Sequence, residues 1–449
     1  MNISFIFSGL IILIIYFSTG SLSCFAISFF TLLLGILLCE TINKEYRQKG
    51  LTLFFIVFSI YSLFALFHYF SFAIDYQNFA INWRDEYKFF TVSESYEHVP
   101  ISRILIDCFI DRIHIENEGY IFYIAILSSI AGTLFDGNHL LYQFLGTTLF
   151  GSLNSILLYK LLLLYIDKND SFRNALAFLL FSAAFQYSFF LLRDIIVLFF
   201  YLCGFIIISR AFSLRGLLKL IFLAFLIGNI RFEHGLFFVA FIVYYLYIQF
   251  KRYKILFVAI ILALFVSSFA IIEKNYAIIV QTYEYYSEFT QESAMSVENS
   301  LGKKIYMLPS PVRELGILLN SQIQPFPSWN DLLNSNNIFT ALVALLPIIY
   351  SLFWFIIVFS LFRWLILYRK YKCLSSNLIL LLFISMIFLI ANLVNPTLRR
   401  LLCIYPIFFL IYSILRSKVI SISELKKTNI YASSTYLYLI VLYIVIKYV

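Results

Sequence analysis

The chain has 449 residues, of which 62% are hydrophobic, 20% aromatic and only 13% charged, and its mean hydropathy is +0.90. This composition excludes an ordinary soluble domain and indicates a polytopic membrane protein. The net charge of +9 is divided among short clusters between apolar segments, as topology signals are, and this distribution argues against nucleic-acid binding. We expect an all-α bundle of membrane helices, because backbone polar groups in lipid must be satisfied within each segment.

Basic clusters predict the orientation of the helices. The cluster Lys44, Arg47 and Lys49 follows the second apolar segment and, by the positive-inside rule, faces the cytoplasm. The first apolar segment has neither a basic region before it nor a cleavage signal, so we expect it to remain as a span. The spans predicted in this part of the chain are 3–19, 21–40 and 51–74.

The apolar segment 119–135 is short for a crossing, and the orientation of every later helix depends on it. If it lies at the outer surface or dips into it, span 140–165 runs inward and the later basic clusters all face the cytoplasm. A true crossing would invert those clusters and violate the positive-inside rule about four times. We therefore expect no crossing, and about thirteen helices in all. The remaining spans are expected near 174–191, 194–209, 216–230, 236–250, 254–273, 338–362, 377–395, 401–416 and 430–447.

Two outer loops are long enough to hold structure of their own, and chemistry on an external substrate is expected there. They divide the chain into parts that we expect to form separate regions of one bundle. These are the amino-terminal transmembrane helices (1–74), the first large periplasmic loop with interfacial helices (75–139), the central transmembrane bundle (140–273), the second large periplasmic loop (274–337) and the carboxy-terminal transmembrane helices (338–449).

The first outer loop holds the best candidates for a catalytic group, the carboxylates of Asp85 and Glu86. They would lie just outside the membrane beside aromatic residues, where a carboxylate can take a proton from a sugar hydroxyl. Consecutive helical residues diverge by about 100°, so we do not expect the two carboxylates to share one role. The structural alternative is an interfacial helix in which both simply pair with Arg84 and Lys88.

Two outer helix ends combine an arginine with a carboxylate. Arg193 and Asp194 lie between apolar spans, and Arg231 is followed closely by Glu233 and His234. The guanidinium fork suits phosphate oxygens, so we interpret these residues as an anion site in which Asp194 orients Arg193. His234 could serve as an acid or a base. The alternative for each arginine is a salt bridge between helices, with Glu233 as the partner of Arg231 and His234 as a structural residue.

The run 395–400 contains two adjacent guanidinium groups, Arg399 and Arg400, with no acidic residue nearby in the sequence. Their charge needs a partner, either the headgroup of an outer-leaflet lipid or the pyrophosphate that joins a polyprenyl tail to a glycan. With Arg193 and Arg231 they form a set of arginines in short outer loops, where the positive-inside rule disfavours them. We therefore predict a phosphate-bearing lipid as the ligand.

The order of these features resembles the polyprenyl-dependent membrane glycosyltransferases of GT-C architecture and, within them, the Wzy-type O-antigen repeat-unit polymerases. The resemblance covers residues 75–410, with Ser328 as an insertion into its Pro-Phe-Pro-Trp run. Its features, in order, are the acidic pair before Tyr87, the outer apolar helix opened by Gly119 and Tyr120, LLRD at 191–194, the paired spans around Arg231 and Glu233, PFPSW at 325–329 and NPTLRRLLCIYP at 395–406.

The resemblance implies a GT-C-like enzyme of the bacterial inner membrane that joins polyprenyl-pyrophosphate-linked oligosaccharide units at the periplasmic face. Asp85 or Glu86 would deprotonate the acceptor hydroxyl, and the outer arginines would hold the pyrophosphate of the donor. The second outer loop would contact the growing glycan through Arg313, Trp329 and the tyrosines Tyr283, Tyr285 and Tyr286.

The partners implied are the lipid-linked oligosaccharide, membrane lipids and a chain-length regulator, with no nucleic acid. No cofactor is implied. The first outer loop lacks an Asp-x-Asp pair and the six cysteines are scattered, so the sequence predicts no metal site, while the need for a divalent ion stays open.

Two other functions are compatible with the same residues. One is a GT-C transferase that moves a single sugar from a polyprenyl monophosphate. The other is a flippase for lipid-linked oligosaccharides, and transporters of that kind often show internal repeats, broken helices near the midplane and short loops. Here the charges are expected at outer helix ends, no repeat is evident and two outer loops are large, which favours an enzyme.

Overall fold

The computed structural model describes residues 2–74, 84–111, 118–250, 301–323, 328–335, 337–392 and 398–448, with the single positions 280 and 326. Within these ranges the chain is helical and contains no strand, as predicted. The α-helices are α1 (Asn2–Thr19), α2 (Leu22–Cys39), α3 (Lys44–Ile74), α4 (Arg84–Glu94), α5 (Ile101–Leu105), α6 (Glu118–Leu134), α7 (Leu140–Leu162), α8 (Lys168–Phe181), α9 (Ala184–Tyr187), α10 (Asp194–Ile208), α11 (Leu214–Ile230), α12 (Phe232–Phe250), α13 (Leu301–Tyr306), α14 (Val312–Ile323), α15 (Asn330–Leu333), α16 (Ile338–Leu361), α17 (Ser376–Ala391), α18 (Leu398–Leu401), α19 (Tyr405–Lys418) and α20 (Ile422–Tyr448).

The helices begin where short polar side chains accept hydrogen bonds from backbone amides that lack a partner within the helix. Ser21 accepts one from the amide of Cys24 at α2, and Asp167 accepts two, from Asn169 and Asp170, at α8. Ser213, Asn337 and Ser375 have the same role at α11, α16 and α17. Because apolar runs and capping residues are both visible in a sequence, the bounds expected for α1, α2 and α7 differ from the observed bounds by only a few residues.

Lysine contacts define one end of the bundle, which we call the basic end. Lys160, near the end of α7, donates a hydrogen bond to Thr41 at 2.9 Å, and Lys168 pairs with Glu45 at 3.6 Å. The connection between α2 and α3 therefore lies beside the connection between α7 and α8. The sequence assigns the residues of this end to the cytoplasm, and that assignment stays a prediction.

At the opposite end of the bundle, which we call the distal end, a loop carboxylate joins two connections between helices. Asp136, between α6 and α7, accepts hydrogen bonds from the backbone amides of Leu22 and Ser23 at 2.7 and 2.8 Å. These amides are the first of α2 and have no acceptor within the helix. The turn between α1 and α2 is thus fixed to the loop that precedes α7.

Helix α6 corresponds to the short apolar segment on which the expected orientation depends. The hydroxyl of Tyr123 donates a hydrogen bond to the carbonyl of Gly146 at 2.8 Å, and its ring packs on Phe150. At its start, Gly119 lies against the backbone of Asn229 at the end of α11. Both contacts of Tyr123 fall in the first half of α7. The expectation that α6 does not cross the membrane stays a prediction.

Long apolar helices make this chain compatible with a membrane protein. Among the described residues, four helices are long and apolar enough to cross a membrane: Leu22–Cys39, Lys44–Phe72, Ile338–Leu367 and Ile422–Val445. Five further apolar helices are shorter, namely Ile3–Thr19, Glu118–Leu134, Asp194–Ile208, Phe232–Tyr247 and Ser376–Ala391. The expected total of about thirteen spans stays a prediction, and the expected span 254–273 lies outside the described residues.

Several helices of the bundle are shorter than the hydrocarbon core of a bilayer. Helix α10 has 15 residues, α17 has 16 and α19 has 14. At 1.5 Å per residue, α10 is about 22 Å long, against about 30 Å for the hydrocarbon. Asn154, in the middle of α7, donates a hydrogen bond to the carbonyl of Ile195 at 3.3 Å. The first turn of α10 therefore lies inside the bundle and not at its distal end.

Candidate functional site

A deeply buried ion pair joins Arg231 to Asp194. Nη1 of Arg231 donates a hydrogen bond to Oδ1 of Asp194 at 2.6 Å, and only 2% and 3% of the two side chains are exposed. Nε of Arg231 also contacts Oε1 of Glu233 at 3.0 Å. The pairing of Arg231 with Glu233 is the one that their spacing suggests. The contact with Asp194 links the start of α10 to the turn between α11 and α12.

Asp194 was expected to orient its neighbour Arg193. Its carboxylate also accepts a hydrogen bond from Arg231, which lies 37 positions along the chain. Nη1 of Arg193 instead lies 3.4 Å from the carbonyl of Ile230, at the end of α11, where arginine commonly satisfies terminal carbonyls.

The tight turn between α11 and α12 depends on a glycine at position 235. A Cβ placed on Gly235 would lie 2.6 Å from the Cα of Gly228, so Gly235 cannot carry a side chain without moving the backbone. The close approach of Gly235 to Gly228 places Arg231 between two helix ends. The backbone amide of Arg231 remains bonded to the carbonyl of Ile227 at 2.7 Å.

A second ion pair brings α4 to the arginines. Nη1 of Arg399 donates a hydrogen bond to Oδ2 of Asp85 at 2.6 Å, across 314 positions of sequence. This pair is more open, because 32% of the Arg399 side chain and 53% of the Asp85 side chain are exposed. Burial opposes the charge of Arg399, but Asp194 and Asp85 outweigh it and hold the pKa of this guanidinium above its usual range.

The side chain of Glu86 points to a different side of α4 from that of Asp85, as expected for consecutive residues of a helix. Both of its carboxylate oxygens lie 3.3 Å from Nε2 of His68, and Oε2 also accepts a hydrogen bond from the backbone amide of Leu191 at 2.8 Å. Both side chains are almost fully buried. His68 has no acidic neighbour in the sequence, so nothing there pointed to this contact. The alternative in which these carboxylates pair with Arg84 stays a prediction, because the side chain of Arg84 lies outside the described part of the chain.

His234 contacts Cys403, just before the start of α19. Its Nδ1 is 3.5 Å from Sγ of Cys403, and its carbonyl accepts a hydrogen bond from the hydroxyl of Tyr201 at 3.2 Å. Nε2 of His234 is buried and has no hydrogen-bond partner within the described part of the chain. Arg400, also buried, offers its carbonyl to Cys403 at 3.6 Å.

Arg313 and Trp329, in the segment 274–337, make their described contacts away from the arginines. Arg313 pairs with its neighbour Glu314 at 2.9 Å, and the ring of Trp329 packs on Phe326 and Tyr443. The two residues expected to contact a glycan are therefore held by residues other than the arginines. Tyr283, Tyr285 and Tyr286, expected to join them, lie outside the described residues.

Helix α14 does reach the neighbourhood of the site. Oε1 of Gln322, near its end, accepts a hydrogen bond from Nε1 of Trp354 at 3.3 Å. The indole ring of Trp354 in turn stacks on Tyr405, at 3.8 Å between ring centroids, at the first residue of α19. This link between the second loop and the helix that follows Arg399 was not visible in the sequence.

Three of the predicted arginines lie together with three carboxylates. Arg231 pairs with Asp194 and Glu233, Arg399 pairs with Asp85, and Arg193 lies close enough to Arg231, Asp194 and Glu233 to interact with their charges. No protein-family model, curated protein or solved structure matches this chain. Guanidinium groups whose present partners are carboxylates can exchange them for phosphate oxygens of similar geometry.

A metal site is not evident near this cluster. Where the chain is described, no three or more His, Cys, Asp and Glu side chains come together in an arrangement that could hold a metal ion. The contacts of Asp85, Asp194 and Glu233 are with arginine nitrogens.

Proposed function

We propose that this chain polymerises polyprenyl-pyrophosphate-linked oligosaccharide units into a surface polysaccharide such as O-antigen, by glycosyl transfer. One observation carries the proposal above the others. The 2.6 Å contact between Asp85 and Arg399 puts a partly exposed carboxylate of the first loop beside the arginine cluster. A base for the acceptor and cations for the leaving group are the two elements that such a transfer requires.

The arginines account for binding of the donor. A diphosphate carries more charge than a carboxylate and can accept hydrogen bonds from several guanidinium groups at once. Of the ion pairs described, the Asp85–Arg399 pair is more exposed than the Arg231–Asp194 pair and is the easier one to break. The diphosphate would replace Asp85 on Arg399 and leave that carboxylate free beside the bound donor.

The freed Asp85 then serves as the base. The acceptor hydroxyl oxygen attacks the anomeric carbon of the donor sugar, its proton passes to the Asp85 carboxylate, and the bond from the anomeric carbon to the pyrophosphate oxygen breaks. Both electrons of that bond leave with the polyprenyl pyrophosphate, whose charge the arginines stabilise. Among the two carboxylates of α4, Asp85 suits this role because Glu86 is buried against His68.

The proposed setting is the bacterial inner membrane, with the cluster on the periplasmic side and the basic end in the cytoplasm. The long apolar helices and the lysine-rich basic end support this arrangement. The polyprenyl tail would remain in the bilayer. A chain-length regulator is a further expected partner.

Complementation tests the proposal. A strain that lacks this gene would receive the wild type, Arg399→Ala or Asp85→Asn at matched expression, and its lipopolysaccharide would be separated on a gel. We expect both variants to lose the ladder and to retain one repeat unit on the lipid core. Arg215→Ala, an exposed arginine at the start of α11, and Glu94→Ala, an exposed residue of α4, should keep the ladder.

Each other outcome points to one of the alternative functions. If deletion also removes the single repeat unit, unit export or synthesis fails first, and a flippase or a single-sugar transferase replaces the polymerase. A ladder unchanged by Arg399→Ala and Asp85→Asn would remove the cluster from the reaction.

The replacement of Asp85 by the diphosphate on Arg399 predicts that Asp85→Asn changes donor binding and glycosyl transfer in opposite directions. Asp85→Asn removes the charge that competes for Arg399, so this variant should bind a polyprenyl pyrophosphate more tightly than the wild type, by about two- to fivefold, while it loses transfer. Binding of farnesyl pyrophosphate to protein in nanodiscs measures this. Weaker binding by Asp85→Asn would show that Asp85 helps to hold the donor.

A further inference from the structure

Glu86 connects three elements that are distant in the sequence. It belongs to α4, its carboxylate faces His68 of α3, and it accepts the backbone amide of Leu191 in the segment before α10. A buried carboxylate that lost these partners would carry a large desolvation penalty. Glu86 therefore fixes α4 in one position relative to both α3 and the segment 191–194.

His68 is held from all sides by aromatic rings. Its ring stacks on Phe190 at 4.3 Å between centroids, with an angle of 13°, and lies within 6 Å of Phe72, Phe144 and Phe189. These rings come from α3, α7 and the segment between α9 and α10. His68 is thus a fixed partner for Glu86, because a packed ring cannot turn away without displacing its neighbours.

Glu86 and Leu191 each lie close in the sequence to a charged residue of the site. Asp85 precedes Glu86 by one residue, and Arg193 follows Leu191 by two. A hydrogen bond of 2.8 Å between Glu86 and Leu191 therefore sets the separation between the proposed base and one of the proposed phosphate ligands. Reacting groups need to be placed within a fraction of an ångström, and a displacement of 1 Å can cost about 100-fold in rate.

We infer that Glu86 and His68 form a buried positioning pair that holds Asp85 at Arg399 and beside the segment of Arg193. The pair touches neither donor nor acceptor. The inference rests on the proposed function only for the chemistry that Asp85 performs, and the placement of Asp85 can be measured without any substrate.

Cross-linking measures that placement directly. In a Cys373→Ser background, which removes the exposed native thiol, Asp85→Cys and Arg399→Cys are joined by a short bifunctional thiol reagent in membranes. We expect efficient cross-linking with Glu86 and His68 present, and a yield lower by at least about fivefold after Glu86→Ala, since about 1 kcal/mol of lost contact changes a population by that factor. Arg399→Cys alone controls for reaction with the buried Cys403.

Three further variants separate positioning from general instability. Glu86→Gln keeps an acceptor for Leu191 and should retain the cross-link, and Glu94→Ala on the same helix should have no effect. The double variant Glu86→Leu with His68→Phe replaces the polar pair by apolar groups of similar size, an exchange that often leaves stability unchanged. We expect this double variant to be folded, by gel filtration and thermal unfolding, but to cross-link poorly.

The same variants, with Asp85 and Arg399 intact, are then assayed for polymer formation. Glu86→Ala and the double variant should lower the maximal rate by about 100-fold with little change in the donor concentration for half-maximal rate, and Glu86→Gln should restore most of it. A folded double variant with normal cross-linking and normal polymer would overturn the inference. If the Glu86 and His68 variants alter cross-linking but substitution of Asp85 or Arg399 does not change the polysaccharide, the positioning pair would be supported. The proposed function would then be wrong.

Discussion

At the scale of single residues, the two acidic partners of Arg231 differ in how far they are buried. Asp194 is almost fully buried with it, whereas 41% of the Glu233 side chain is exposed. Removing one partner of a buried pair leaves an uncompensated charge and typically costs about 3–5 kcal/mol, whereas a partly exposed partner contributes about 1 kcal/mol or less.

We therefore expect Asp194→Ala to reduce the free energy of unfolding several times more than Glu233→Ala does. Denaturation in detergent, with both variants at the same pH and salt, measures the difference. Equal losses would mean that water reaches Arg231 and that the site is open at its base.

At the scale of helices, the approach of α11 to α12 depends on having no side chain at Gly235. Gly235→Ala would set a Cβ 2.6 Å from a backbone atom of Gly228, so we expect it to destabilise the protein by about 1–3 kcal/mol and to weaken diphosphate binding by displacing Arg231. Gly9→Ala is a matched control in α1, because nothing lies within 4 Å of its Cβ, and alanine favours a helix by up to about 1 kcal/mol. Thermal unfolding of both variants tests this, and a stability gain at Gly235 would contradict the packing described.

The cap that Asp136 provides to α2 predicts a dependence of stability on pH. Burial raises the pKa of Asp136, but hydrogen bonds from the backbone of Ser23 and Leu22 outweigh it, so the pKa in the folded chain is lower than in the unfolded one. The resulting stabilisation is present above the ordinary pKa of aspartate, near 3.9, and is lost as the pH falls through the lowered value.

Asp136→Asn should therefore be less stable than the wild type at neutral pH, by about 1 kcal/mol, and the difference should shrink as the medium is acidified below about pH 4. Unfolding of the two proteins at a series of pH values measures this. A difference that is constant across the acid range would exclude the charge of Asp136 as its cause.

At the scale of the whole molecule, the contacts at the two ends predict which loops share a side of the membrane. In a Cys373→Ser background, His139→Cys lies beside Asp136 at the distal end, and Lys168→Cys lies at the basic end. A membrane-impermeant thiol reagent should label the first in intact spheroplasts and the second only after permeabilisation. Labelling of both in intact spheroplasts would contradict the proposed orientation.

The sequence was informative about helices and much less so about contacts. Apolar runs and capping residues such as Ser21 and Asp167 are local signals, so most helix bounds could be predicted. The arginines could be singled out because the expected orientation places them in short outer loops, where the positive-inside rule disfavours them. Their partners could not be predicted, because Asp85 lies 314 positions from Arg399 and any of several acids would fit a guanidinium group equally well. His68 was missed because one histidine in an apolar helix gives no local signal of an acidic partner.

The shortness of α17 has a consequence for the surrounding lipid. This helix exposes apolar side chains such as Ile379, Phe383 and Ile387, whereas α10 and α19 are covered by other helices. Because α3 and α16 are long enough to cross a full bilayer, the hydrophobic height of the protein is smaller at α17 than at those helices. Lipids adapt to such a mismatch by thinning, which brings headgroups and water toward the bilayer centre. A charged lipid could then reach Arg231 and Arg399 by sliding sideways along a sunken surface, with its tail always in hydrocarbon.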